Sequence, residues 1–134
     1  ITLDAILSQA LASVDQEELD DALGLPGFFL TEFIKAVENL PFCVTVSTAR
    51  EVRKGFPLLY VNKAFETVSG YNRYEIVGKN CNFLQGPETE KEPIERLVQA
   101  LGAAQPCKVA LTNVTKQGKP FTNLLALKPV FGKI

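Results

Sequence analysis

Three cysteines, Cys43, Cys81 and Cys107, are the side chains with the most reactive chemistry to offer, and they stand in a chain without histidine. The missing histidine excludes a Ser-His or Cys-His hydrolase, a histidine-ligated haem and His-containing metal sites. The cysteine number is odd and no pair has metal-ligand or redox spacing. A disulfide framework and a zinc site are therefore not expected, no metal is expected, and a reducing, intracellular (cytoplasmic) setting is the default. Cys81 lies in the most distinctive stretch, Gly78-Lys79-Asn80-Cys81-Asn82-Phe83-Leu84-Gln85-Gly86-Pro87. The glycine permits a close backbone approach, and the cysteine then sits between two amides on a short helical turn. A cysteine considered alone is usually an inert, buried small hydrophobe.

The elements that must position Cys81 follow from periodicity. Leu3, Ile6, Leu7, Ala10, Leu11 and Val14 recur at helical spacing and form an apolar stripe. Ser13 to Gln16 has capping-box spacing, Gly24 and Pro26 punctuate the chain, and a third short helix carries Phe28, Phe29, Phe33, Ile34 and Val37 up to Pro41. Beyond Pro41 the period changes. Residues 42–48 and 58–61 read as strands, with a loop between them containing Gly55 and Pro57. Short helical pieces broken at Gly70 and Gly78 fill residues 63–85, and a helix with Pro93 in its first turn runs to about Leu101. Residues 110–115 and 121–130 read as two strands around a turn at Gln117-Gly118-Lys119. This order predicts an α+β fold with an antiparallel sheet.

The bulk properties exclude several classes. A chain of 134 residues holds one domain with a modest core. With 14 basic and 15 acidic residues and no basic stripe, there is no electrostatic reason to bind nucleic acid. The apolar runs are too short to span a bilayer, and the N-terminal apolar residues are broken by Asp4, Gln9 and Asp15, unlike a secretory signal.

The segment around Cys81 resembles the signature GxNCRFLQ of the LOV photoreceptor class of PAS domains. Six of its seven specified residues match, and Asn82 replaces the arginine. Phe42-Cys43-Val44-Thr45, Tyr60-Val61-Asn62-Lys63-Ala64-Phe65, Gly70-Tyr71, Glu75-Ile76-Val77-Gly78, Gly86-Pro87-Glu88-Thr89, Asn113 and Asn123-Leu124-Leu125 fit the same family in the right order, from about Pro41 to Val130. The resemblance implies a PAS fold: a five-stranded antiparallel sheet, small helices on one face, and flavin mononucleotide (FMN) inside. It implies a blue-light photoreceptor, not an enzyme, in which the cysteine sulfur bonds reversibly to flavin C4a and N5 gains a proton. The residue matching the reactive cysteine is Cys81. A thiol with a pKa of about 8.5 rests protonated at neutral pH, which suits a switch that waits for light. The alternative is a light-insensitive PAS module that only binds a protein partner.

The resemblance also implies flavin-binding positions. Asn113 and Asn123 match a pair that binds the ring. Each amide offers a donor and an acceptor, although without the resemblance both residues read more readily as solvent-facing strand positions. Asn80 and Gln85 match positions against the ribityl or ring region, and Thr45 matches a polar residue near the ribityl chain. Leu84, Leu111 and Leu125 supply apolar walls, a role compatible with core packing. Phosphate binding is where the chain departs from the family, which uses two arginines. Here those positions hold Asn82 and Val98, and Arg96 is two positions off, about 200° around a helix. Lys91 shares the Val98 face and can supply a point charge without arginine's fork. Weak phosphate recognition is expected, which admits riboflavin, while the absence of an insertion after Gln85 disfavours FAD.

Two expectations concern the ends. Residues 1–40 are expected to form a helical extension that covers the sheet and pairs two copies in a homodimer, with packing inside one monomer as the alternative, and residues 41–134 the flavin-binding core. The family's last strand, with its glutamine, has no counterpart up to Ile134, which fits either a shorter domain or a chain that continues further.

Overall fold

The computed structural model describes residues 27–47 and 56–129. They form helix α1 (Gly27–Val37), strands β1 (Thr45–Ser47) and β2 (Leu58–Val61), helices α2 (Lys63–Ser69) and α3 (Arg73–Ile76), a 3-10 turn (Cys81–Leu84), helix α4 (Lys91–Ala103), and strands β3 (Cys107–Val114) and β4 (Pro120–Leu127). The α+β class and the element order expected from periodicity both hold. The helices expected before residue 27 lie outside the described residues. Among the described residues the strands pair as two antiparallel ladders, β1 with β2 and β3 with β4, and a fifth strand does not occur.

The described residues divide into two compact units, one of residues 27–47 and 56–80 and one of residues 81–129. In the first, Ile34 and Val37 of α1 bury against Tyr60 of β2, with Phe33, Leu40, Val44 and Val46 packed around them. All four β2 residues are buried, which is why Leu58 to Val61 reads as a continuous apolar run rather than an alternating one. Gly78 N donates to Leu58 O at 2.7 Å and Leu58 N donates to Lys79 O at 2.9 Å. Gly78 makes this contact at φ 90°, a left-handed conformation that favours glycine.

Two buried polar residues organise this unit. Asn62 has no exposed surface. Its Oδ1 accepts from Phe65 N, capping α2, and from Val44 N, while its Nδ2 donates to Val37 O and Phe42 O. This explains a difference from the expected strand 42–48. The backbone at Phe42 and Val44 is held partly by a side chain, and the ladder begins only at Thr45. Arg73 is buried between two carboxylates. Its Nη2 lies 2.9 Å from both Glu38 Oε2 and Glu66 Oε1, and Tyr60 donates to Glu38 at 2.6 Å. Buried charges persist when paired and hydrogen-bonded in this way. The carboxylates hold the guanidinium pKa above its ordinary value despite its burial, and burial together with Glu38 raises that of the Tyr60 hydroxyl.

In the second unit α4 packs on β3. The hairpin is in continuous register from Cys107↔Leu127 to Val114↔Pro120. Its turn closes through Thr115 N to Lys119 O and Gly118 N to Thr115 O, each 2.9 Å, with Gly118 at φ 84°. The turn claims Thr115, so β3 ends one residue earlier than expected. β4 stops at Leu127, short of Pro129, which has no N–H to donate.

Candidate functional site

Val109, Leu111 and Asn113 are the buried residues of β3. The pleat alternates along β4 as well, where Phe121, Asn123, Leu125 and Leu127 are half-buried and Leu124 is 82% exposed. Register places Leu111 opposite Asn123 and Val109 opposite Leu125. Asn113 and Asn123 are therefore diagonal neighbours on one face. Asn123 Nδ2 donates to Asn113 Oδ1 at 2.9 Å. The two asparagines point inward together rather than to solvent. Among the described residues, the Asn113 N–H groups and the Asn123 amide oxygen take no further partner. The pair thus presents a donor beside an acceptor, flanked by Leu111 and Leu125. A planar heterocycle with alternating polar edge atoms is what such a face can hold.

Cys81 opens the 3-10 turn, in which Leu84 is 6% exposed and Gln85 N donates to Asn82 O at 3.0 Å. Gln85 then forms an isolated antiparallel bridge with Asn113. The turn that carries the thiol is thereby joined to the residue that carries the inward amide. The thiol is half-buried, and burial pushes its pKa up to about 11. It is a neutral thiol at physiological pH, further from thiolate than an ordinary cysteine.

The chain after the turn is tightly built. A Cβ at Gly86 would stand 2.6 Å from Val114 Cγ1, inside any tolerable contact. Gly86 N donates to Thr89 Oγ1 at 2.9 Å, and Thr89 Oγ1 donates to Thr112 O. Thr112 N donates to Glu90 Oε1 at 2.9 Å and its hydroxyl to Glu90 Oε2 at 3.3 Å. These bonds hold the Glu90 carboxyl below its usual range. The Gly86–Thr89 motif shows no role in the sequence by itself. The missing signal was long-range, because Thr112 is 23 residues from Thr89 in the chain.

The remaining positions are distributed as follows. Leu111, Asn113, Asn123 and Leu125 share the inward face of the hairpin, Leu84 is buried on the turn, and Gln85, whose side chain is exposed, meets Asn113 through the backbone bridge. Asn82 is exposed on the turn, and Lys91 is exposed at the first position of α4. Val98 is 62% exposed, and Arg96 is engaged with Glu92 at 2.7 Å. Thr45, exposed and paired with Val61, and Asn80, half-buried, belong to the first unit. Cys43 is exposed and precedes β1.

Among the described residues no helix is long and apolar enough to cross a membrane, and no group of three metal-ligating side chains occurs.

Comparison with known proteins agrees with this geometry. A blue-light-activated histidine kinase of Brucella anthropi is 39% identical over 98 residues, 73% of this chain and 20% of the kinase. Blue-light-activated histidine kinase 1 of Erythrobacter litoralis is 43% identical over 101 residues, 75% of this chain and 28% of the kinase. The chain thus spans less than a third of these relatives. A LOV domain from an Erythrobacter litoralis blue-light activated histidine kinase superposes with a TM-score of 0.65 at 36% identity, over 69% of this chain and 84% of that domain. Residues 41–133 match the PAS domain family, and with the inward asparagine pair and the Cys81 turn in place, the chain belongs to that family and to its LOV class.

Proposed function

We propose that this chain is a blue-light sensing domain that holds a flavin and captures it through Cys81. The observation that carries the reading is the bridge from Gln85 to Asn113, which ties the turn bearing a protonated thiol to the strand bearing an inward amide. The blue-light activity of the named relatives supports it.

Flavin mononucleotide is the proposed ligand. When bound, it supplies a ring whose C4a carbon becomes electrophilic on absorbing blue light. The chain does the rest. Asn113 and Asn123 orient the polar edge of the ring, with Leu84, Leu111 and Leu125 as apolar walls. Thr45, Asn80 and Gln85 are assigned to the ribityl chain and ring, and Asn82 and Lys91 to the phosphate. Cys81 supplies both parts of the addition. With a flavin bound, its S–H would break, the sulfur would supply the bond to C4a and the proton would go to N5, so that no external oxidant or reductant would be consumed. Thermal reversal restores the thiol.

Absorbance of the purified protein before and after blue light tests this. The wild type should be yellow, bleach, and recover in the dark. Cys81→Ala should keep the colour and lose the reversible bleaching, while Cys43→Ala behaves as wild type. Ordinary bleaching in Cys81→Ala sinks the assignment, and a colourless wild type favours a protein-binding PAS module.

A further inference from the structure

We infer that Thr89 and Glu90 are positioning residues for Cys81, acting as a side-chain staple on the outer edge of β3. Thr112 pairs across the hairpin with Thr122, yet both of its backbone polar groups are taken by the Gly86–Glu90 segment: its C=O by Thr89 Oγ1 and its N–H by Glu90. Two side chains therefore satisfy the edge groups that another strand would otherwise pair. Glu90 stands at the N-cap of α4 and makes no side-chain cap there. A residue that forgoes the first-turn amides of its own helix in order to hold a strand is engaged in long-range positioning. The neighbouring residue pair is the Gln85–Asn113 bridge. Thr89 also receives Gly86 N, and Gly86 lies flush on Val114. The segment is thus fastened at three successive β3 residues, Thr112, Asn113 and Val114. Fastening it there sets where the turn holding Cys81 stands relative to the Asn113–Asn123 pair.

The inference rests on the reading of Cys81 as the photoactive thiol. Angular placement of a reacting atom controls rate steeply, so a loosened staple should act on bond formation before it acts on binding. Three full-length variants test it: Thr89→Val, which removes the hydroxyl at nearly constant shape, Thr89→Ser, which keeps it, and Glu90→Ala. Two readouts are taken in the dark-adapted, flavin-bound protein: amide hydrogen exchange at Gly86 for the Thr89 variants and at Thr112 for Glu90→Ala, and bleaching yield per absorbed photon at matched flavin occupancy. Thr89→Val should speed exchange of the Gly86 amide and Glu90→Ala that of the Thr112 amide, each about fivefold or more, the factor that loss of one such hydrogen bond gives. Both should lower the bleaching yield with colour retained, and Thr89→Ser should restore wild-type values. Accelerated exchange with an unchanged yield overturns the inference, as does unchanged exchange. If Thr89→Val does not fold, the exposed Glu90→Ala decides alone. A wild type that never bleaches is a failure of the Cys81 reading and is recognised before any variant is compared.

Discussion

Burial makes the Cys81 thiol harder to ionise, moving its pKa up to about 11, and this sets a testable pH dependence. In a Cys43→Ser, Cys107→Ser background, dark alkylation of Cys81 should climb with pH until about 11. An unperturbed thiol levels off above about 8.5. A plateau near neutral pH would contradict the buried-thiol description. The same shift bears on stability. The folded pKa is raised above the unfolded one, so the contribution is complete below the unfolded value. It is lost as pH rises through the folded value. A second prediction at this scale concerns Asn82. It is exposed where the family places an arginine, and Arg96 is engaged with Glu92. Asn82→Arg should raise flavin occupancy and favour the mononucleotide over riboflavin, with a charge-assisted hydrogen bond worth roughly 1.5–3 kcal/mol. Chromatography of the released cofactor checks this, and unchanged identity and occupancy count against it.

Among the elements, α2 and β1 depend on one residue. Asn62 caps α2 and satisfies Val44 N, Val37 O and Phe42 O, all without solvent exposure of its own. Asn62→Ala removes the cap and leaves buried backbone groups unpaired. The expected loss is about 2–4 kcal/mol, read as a lower urea midpoint. A shift within experimental error would mean that water replaces the amide. Capping by Asn62 was legible only in part. Its place in Tyr60-Val61-Asn62 marked the strand end, but the partners at Val37, Phe42 and Val44 are tertiary. The hairpin was legible because Gly118 marks its turn and both strands are rich in β-formers. Its boundaries shifted by up to three residues because the ladder recruited Cys107 to Val109, which periodicity alone did not separate from the preceding loop.

At the scale of the molecule, α1 changes the argument for assembly. Ile34 and Val37 are consumed inside the first unit and Glu38 pairs with Arg73, so this helix face is not spare for a partner. The expected homodimer then rests on the stripe of Leu3, Ile6, Leu7, Leu11 and Val14, which lies outside the described residues. Deleting residues 1–26 should convert a dimer to a monomer in light scattering while leaving the flavin spectrum intact. A full-length monomer in both darkness and blue light removes the dimer. Deletion through residue 38 should instead destabilise the protein, because it also removes Ile34, Val37 and one carboxylate of the buried arginine cluster.

Local chemistry determined a great deal without any structure. Strand and helix periods, the turn at Gly118, the break at Gly78 and the cysteine motif are all properties of neighbouring residues, written in short windows. What only the tertiary structure decided is which distant groups meet. By strand position alone Asn113 and Asn123 read more readily as facing water, and it is the β3–β4 register that puts them on the face that carries Val109 and Leu111. Thr89, Glu90 and Thr112 have ordinary loop and strand identities, and their staple exists because folding brings residues 22 and 23 positions apart within hydrogen-bond reach. Arg73 is buried because Glu38 and Glu66 arrive from elsewhere in the chain to neutralise it. Each case has one physical cause. A buried polar group is tolerated only where a partner meets it, and the partner's position along the chain is set by the fold rather than by the local pattern.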